Sequence, residues 1–214
     1  MPPVKRNAKP RRRPGKNRSE LSSTHKREQE ITDFAVEVFH SKGYAAASVD
    51  DVANAVGILK GSLYYYIDTK EDLLMRIVEQ VHEEVEALLL DAIGDDSILA
   101  LERLSDYITR QIEYNARNLD RVRVYYHDFD QLQGDNLARM KKLRRRDERR
   151  VQDLISEAKK AGELPAKLDE RLATKTLFAS VLWMYTWFRP GGDISAKRYG
   201  TFCANFVLNG LRGA

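Results

Sequence analysis

Cysteine is almost missing: Cys203 is the one thiol in 214 residues. A lone thiol cannot close an intramolecular disulfide, so no disulfide framework carries this fold, and a reducing, cytoplasmic setting is expected with Cys203 as core. Long apolar runs are missing too. The longest, from Leu177 to Phe188, falls short of the ~18 residues of a helical span, which argues against a membrane partner. The first residues lack the apolar centre of a signal peptide. Histidine is scarce at four residues. No second ligand stands at metal-binding spacing beside His25 or His40, so neither a metal nor any other cofactor is expected. His127, Asp128 and Asp130 are the acid–base cluster an enzyme could use. No nucleophile, Gly-rich phosphate loop or metal set accompanies them, and catalysis is not expected.

What is present is enough apolar material, 43% of residues, for a small module plus a larger domain with its own core. Charge is unevenly placed. Lys5, Arg6, Lys9, Arg11, Arg12, Arg13, Lys16 and Arg18 all precede the first acid, Glu20. Subtracting these eight from 36 leaves 28 Lys and Arg against 32 Asp and Glu, so the body is mildly acidic and the arm carries the excess of cations. With four prolines and almost no large apolar side chain, residues 1–22 are expected to be a disordered basic arm. Arg11, Arg12 and Arg13 can neutralise phosphates or enter a minor groove; the alternative is a solvated tail.

The next stretch organises the chain. Ile31, Phe34, Ala35, Val38 and Phe39 repeat at i, i+3, i+4, i+7 and i+8, one stripe of a helix over about 25–42 that Gly43 ends. Ser48 can cap a second helix with Asp51 reaching back three residues later, and Val52, Ala53 and Val56 give that helix an apolar stripe. Gly57 permits the tight stop. A third short helix over about 60–66 turns Leu63 inward and leaves Lys60, Ser62 and Tyr65 outward. Ala53 allows close approach, Gly57 takes positive φ, and Leu63 plugs the gap: the packing logic of a helix-turn-helix. Thr69 then caps a fourth helix to about Asp91, longer than a three-helix bundle needs, with Leu73, Leu74, Ile77, Val78, Val81, Val85 and Leu88 on one face.

Gly43-Tyr44, Ser48, Val52-Ala53, Gly57, Gly61-Ser62-Leu63-Tyr64 and Lys70-Glu71 together resemble the TetR family of transcriptional repressors. Val56, Leu59 and Ile67 depart from its usual pattern, Leu59 standing where Ser or Thr often caps the recognition helix. The resemblance implies an all-α fold: a helix-turn-helix DNA-binding domain at 23–68 joined to a helical ligand-binding and dimerisation domain at 69–214. It implies double-stranded operator DNA as partner. Lys60, Gly61, Ser62 and Tyr65 would face base edges, Tyr64, Tyr66 and Lys70 would hold phosphates, and Ser48 would cap near the backbone. Lys60 is the candidate for guanine. One of three consecutive tyrosines must pack inward, and Tyr64 and Tyr66 both stay open for that.

Beyond Gly94, Ser97 can cap a helix through Leu101, Leu104, Ile108 and Ile112 to about Asn118, followed by helices over about 119–133 and 136–161. The last of these carries Lys141, Lys142, Arg144, Arg145, Arg146, Arg149 and Arg150. A solvated face is the plain reading; the other is that one or two arginines turn inward to bind an anionic ligand. Helices over about 169–188 and 195–211 are too apolar for single-sided burial, and in the resembled family they build the homodimer. Tyr107, Gln111, Tyr114, Tyr125, Phe129, Phe178 and Trp183 are the expected pocket residues, with ordinary core as the alternative for each. The stretch from Trp183 to Gly192 is similar to TetR regulators of fatty-acid or steroid breakdown that answer to acyl-CoA thioesters. The expectation is therefore a homodimeric repressor on a pseudo-palindromic operator, released by such a small-molecule effector. A constitutive DNA-organising protein without effector is the alternative.

Overall fold

α1 spans Arg18–Lys42 in the computed structural model, which describes residues 18–213, with side chains placed from residue 24 onward. Among the described residues every regular element is a helix, in line with the all-α class. The arm residues Arg11, Arg12 and Arg13 lie outside the described residues. α1 starts before the apolar stripe does. The helix therefore overlaps the last residues of the 1–22 stretch. Ile31, Ala35, Val38 and Phe39 are buried.

α2, Val49–Val56, begins at a complete capping box. Ser48 Oγ accepts from the Asp51 amide at 3.1 Å, and the Ser48 amide donates to Asp51 Oδ2 at 2.9 Å. Hydrogen bonds from Lys42 and from Ser48 hold the Asp51 carboxyl far below the usual range, so the box is charged at neutral pH. Gly57 stops the helix at φ 74°. A Cβ there would meet nothing within 4 Å, so the constraint is backbone conformation alone. Gly57→Ala should cost about 1–2 kcal/mol, the left-handed penalty of an L-residue, and Gly57→Asn less. Urea denaturation of the two variants checks the order.

α3 covers Lys60–Leu63, shorter than expected. After Leu63 the bonds tighten to i→i−3, Tyr65 to Ser62 and Tyr66 to Leu63, and the segment continues as turn. α4, Lys70–Ile93, opens on the Thr69/Asp72 capping box. α5 is Ala100–Arg117. Ser97 does not cap it: Ser97 closes a turn on Asp95, while Glu163 accepts the free amides of Ala100 and Leu101 from across the domain. α6, Leu119–His127, ends in a 3₁₀ turn, Phe129–Gln131, that buries Phe129. α7 is Gly134–Lys160. α8, Glu170–Leu182, likewise ends in a 3₁₀ turn, Trp183–Thr186. α9 is Ala196–Arg212. It lies so close to α5 that a Cβ on Gly200 would stand 3.3 Å from Thr109 Cγ2. Cys203 is buried there.

Two apolar clusters result, and their division is informative. The first joins Ile31, Phe39, Val52, Leu63 and the start of α4 to Val122, Tyr125, Phe129 and Met140 of α6, its turn and α7. The second holds α5, α8 and α9 with the far halves of α4 and α7. The helix-turn-helix thus shares one core with the α6 region, with Tyr125 and Phe129 in the same packed cluster as Ile31 and Phe39 of α1.

Candidate functional site

The outward face of the helix-turn-helix is built by what the core consumes. Leu63 and Ile67 are fully used inside, which turns Lys60, Gly61, Tyr64 and Tyr65 out, with Tyr65 88% exposed. Tyr66 packs partly against the core, and its carbonyl accepts from Arg76 of α4. Ser62 is half-buried. Leu59 occupies the N-cap of α3 with no side-chain cap and 80% exposure. The departure from Ser or Thr therefore leaves amides and an apolar side chain together on the outward face, and such a side chain suits a thymine methyl.

The two lysines differ. Lys60 Nζ lies 2.7 Å from Asp50 Oδ2, both groups about half exposed, so the ammonium is held by an ion pair that water or a nucleobase can replace. Lys70 Nζ donates to the carbonyls of Tyr44 and Ala47, each at 2.8 Å, and sits 4.3 Å from the Tyr44 ring centroid. It fastens α4 to the loop before α2, with two of its three donors taken by carbonyl oxygens.

The second site is a cavity of about 380 Å³ bounded by α4, α5, α6 with its turn, α7 and α8. Val85, Leu89, Phe178 and Leu182 supply apolar wall, and Tyr107, Tyr125, Tyr126 and Phe129 supply aromatic wall. Burial raises the Tyr107 and Tyr126 hydroxyls and pushes Tyr125 up to about 12, so all three are protonated at neutral pH and can donate. Arg144 and Arg145 stand at the cavity with no carboxylate within 4 Å among the described residues. The Arg144 guanidinium lies 4.3 Å from the Phe129 centroid and under 6 Å from those of Tyr125 and Tyr126. Lys141 faces Asp130 at 3.9 Å, and Lys175 pairs with Glu148. An apolar, tyrosine-lined space with two uncompensated guanidinium groups suits an amphipathic anion.

Tyr107, Tyr125, Phe129 and Phe178 of the nominated set line this cavity. Gln111, Tyr114 and Trp183 do not, although Trp183 borders a neighbouring depression together with Tyr126, Phe178 and Leu182 of the cavity wall. Gln111 is sealed in the core, where its amide donates to Asn115 at 2.8 Å. The Tyr114 hydroxyl is spent on Glu84 at 2.7 Å. Trp183 is 64% exposed on the 3₁₀ turn after α8. His82, Tyr126 and Asp147 are wall residues that the sequence did not single out, and of the basic run it did single out, Arg144 and Arg145 reach the cavity. His127 Nδ1 lies 3.0 Å from Asp128 Oδ1 in a shallow depression between α1 and α6 beside Phe39, Gly43 and Thr186. Asp130 is on the cavity instead.

A third feature is an apolar face on α8 and α9. Leu172, Phe202 and Phe206 are each more than 60% exposed, and the two phenylalanines stack at 5.9 Å. Beside them runs a groove lined by Leu168, Ala173, Val207 and Leu211.

A helix-turn-helix with free outward residues, fused to a cavity-bearing helical domain, is the layout of a DNA-binding regulator. Comparison with known proteins agrees. Residues 98–211 match the family described as "Tetracyclin repressor-like, C-terminal domain", and residues 31–77 match "Bacterial regulatory proteins, tetR family". The HTH-type transcriptional repressor KstR2 of Rhodococcus jostii (strain RHA1) is 26% identical over 188 residues, 86% of this chain and 91% of that one. The structure of the ketosteroid transcriptional regulator KstR2 of Mycobacterium tuberculosis aligns with TM-score 0.81 at 23% identity, covering 87% of this chain and 95% of that one. AibR, solved in complex with isovaleryl coenzyme A and operator DNA, aligns with TM-score 0.76 at 24% identity, covering 87% and 98%. The chain belongs to the TetR family and is a DNA-binding transcriptional repressor of that type. No helix among the described residues is long and apolar enough to cross a membrane.

Proposed function

We propose that this repressor acts as a homodimer, with residues 23–68 reading a pseudo-palindromic operator and residues 69–214 binding an acyl-CoA thioester of lipid or steroid breakdown that releases it. The observation that carries the effector class is the pairing of an apolar, tyrosine-lined cavity with Arg144 and Arg145, which lack carboxylate partners among the described residues. The acyl end takes the apolar wall, and phosphate oxygens take the guanidinium groups. The similarity to AibR, whose structure holds isovaleryl coenzyme A and operator DNA, supports the same class.

On DNA, two recognition segments enter successive major grooves. Lys60 exchanges Asp50 for guanine O6 and N7; Gly61, Ser62 and Tyr65 face base edges, and Tyr64, Tyr66 and Lys70 meet phosphates. Ser48 holds its capping box near the backbone, and Arg11, Arg12 and Arg13 add phosphate contacts. Release follows from the shared core. A ligand that packs against Tyr125 and Phe129 moves the cluster on which α1 rests. It lowers occupancy only as far as it prefers the non-binding spacing of the two readers.

The test is fluorescence anisotropy with the DNA upstream of the protein's own gene and a scrambled duplex, at fixed salt, with and without acyl-CoA thioesters. Expected is a specificity ratio of ~10³ or more, lost by roughly ten- to hundredfold in Lys60→Ala, and release by one thioester. Equal weak binding to both duplexes overturns the operator reading, and specific binding that no thioester disturbs overturns the effector class.

A further inference from the structure

His82 is a buried imidazole in the cavity wall. It is 3% exposed, and its Nε2 has no hydrogen-bond partner. What faces that nitrogen is a pair of carboxylates, Asp147 Oδ2 at 3.6 Å and Glu86 Oε2 at 3.9 Å. These separations are too long for hydrogen bonds. They are a few tenths of an ångström wider than neighbouring ligands keep around a common ion, since atoms about 2.1 Å from a tetrahedral centre stand about 3.4 Å apart, so small side-chain shifts would close the set. The three side chains present donor atoms that all lie within 4.8 Å of one another.

The carboxylates are oriented for this from behind. Arg146 and Arg150 both bond Glu86 Oε1, and Arg150 also bonds Asp147 Oδ1 at 2.8 Å. Each acid thus spends one oxygen on arginine and turns the other toward His82. This is the division of labour seen where outer hydrogen bonds fix ligating carboxylates.

We propose that His82 Nε2, Glu86 Oε2 and Asp147 Oδ2 form a binding site for a divalent transition-metal ion of the zinc class, with its remaining position open to the cavity. The site goes beyond the acyl-CoA reading and does not depend on it. The two guanidinium groups offset the carboxylate charge, so a hard ion held mainly by charge, such as Mg²⁺, gains little here. The imidazole nitrogen selects Zn²⁺, Co²⁺ or Ni²⁺. His82 and Glu86 sit on α4 at i and i+4, and Asp147 sits on α7. A bound ion clamps α7 to the helix that runs down to the DNA reader.

The experiment is Co²⁺ titration of the chelator-treated full chain, followed by visible d–d absorption, with Zn²⁺ competition and calorimetric stoichiometry. Expected is one Co²⁺ per protomer in a four- or five-coordinate spectrum, displaced by Zn²⁺ and not by Mg²⁺. His82→Gln should bind at least ~100-fold more weakly, since loss of an outer partner alone costs 10–100-fold. His127→Gln, a surface histidine beside an acid, should bind as wild type. Glu86→Gln is the second variant should His82→Gln fail to fold; it keeps an amide oxygen for the arginines and loses the ligand charge. No saturable Co²⁺ binding, equal binding by Mg²⁺, or unchanged binding in the folded His82 or Glu86 variant each overturns the site.

Discussion

Phe202→Glu combined with Phe206→Glu is expected to convert the protein to monomers and to lower operator affinity by ~10²–10⁴-fold, the advantage that a second linked half-site confers. Both rings project from α9 with 62% and 67% of their surface exposed. With Leu172 on α8 and the adjoining groove they form a continuous apolar face, larger than the single exposed side chains that need no explanation. At ~25 cal/mol per Å² of apolar surface, burying such a face against its symmetry copy is a strong drive to pair. Two glutamates per protomer would meet their counterparts across a two-fold axis, adding like-charge repulsion and desolvation to the lost burial. Because neither ring is covered in the protomer, its own stability should move by no more than about 0.5 kcal/mol. Sedimentation velocity, thermal melting and anisotropy on whole and half operators separate the terms. Whole-operator affinity falling to the half-operator value, with a melting temperature that no longer depends on protein concentration, is the expected pattern; a dimer that persists in the double variant places the interface elsewhere.

The helix-turn-helix was legible in the sequence because its determinants are local. Ser48 and Asp51 are three residues apart, Gly57 must adopt φ 74° by itself, and Leu63 is the apolar plug of a four-residue helix. The cavity was less legible because its determinants are tertiary. Tyr107, Gln111 and Tyr114 share one face of α5, yet Glu84 of α4 takes the Tyr114 hydroxyl and Asn115 takes the Gln111 amide, which leaves Tyr107 as the one of the three lining the cavity. Trp183 stands at the edge of the cavity wall rather than in it. α8 tightens at Leu182, so the 3₁₀ turn carries Trp183 outward and buries Met184 and Phe188. Two local signals bear on the cavity. His82 and Glu86 stand at i, i+4, a spacing that places two ligands on one helix face. Within the charged run of α7, Met140, Arg144, Asp147 and Val151 recur at i, i+4, i+7 and i+11, the stripe that turns Arg144 and Asp147 in among buried neighbours. Charge density hid the periodicity.

That stripe makes Arg144 the side chain on which effector sensitivity should turn. Its guanidinium stacks on Phe129 and has no carboxylate partner among the described residues, so an anionic ligand gains its hydrogen bonds without first breaking an ion pair. Hydrogen bonds to charged groups contribute about 1.5–3 kcal/mol. Arg144→Met keeps the apolar stem against the rings and removes the charge. It is expected to raise the thioester concentration for half-release by roughly ten- to hundredfold, whereas Arg149→Met, on the exposed side of the same helix, should leave it unchanged. Linkage sharpens the test. Operator DNA must weaken effector binding by the same factor by which effector weakens operator binding. If Arg144 holds the ligand, the variant lowers effector affinity equally for the free and the operator-bound protein, and that factor is preserved. If Arg144 instead carries strain from the cavity to α6 and the helix-turn-helix, affinity for the free protein survives and the factor shrinks. Calorimetric titration with and without operator measures both, and unchanged affinity for the free protein would overturn Arg144 as the anion-binding group of the cavity.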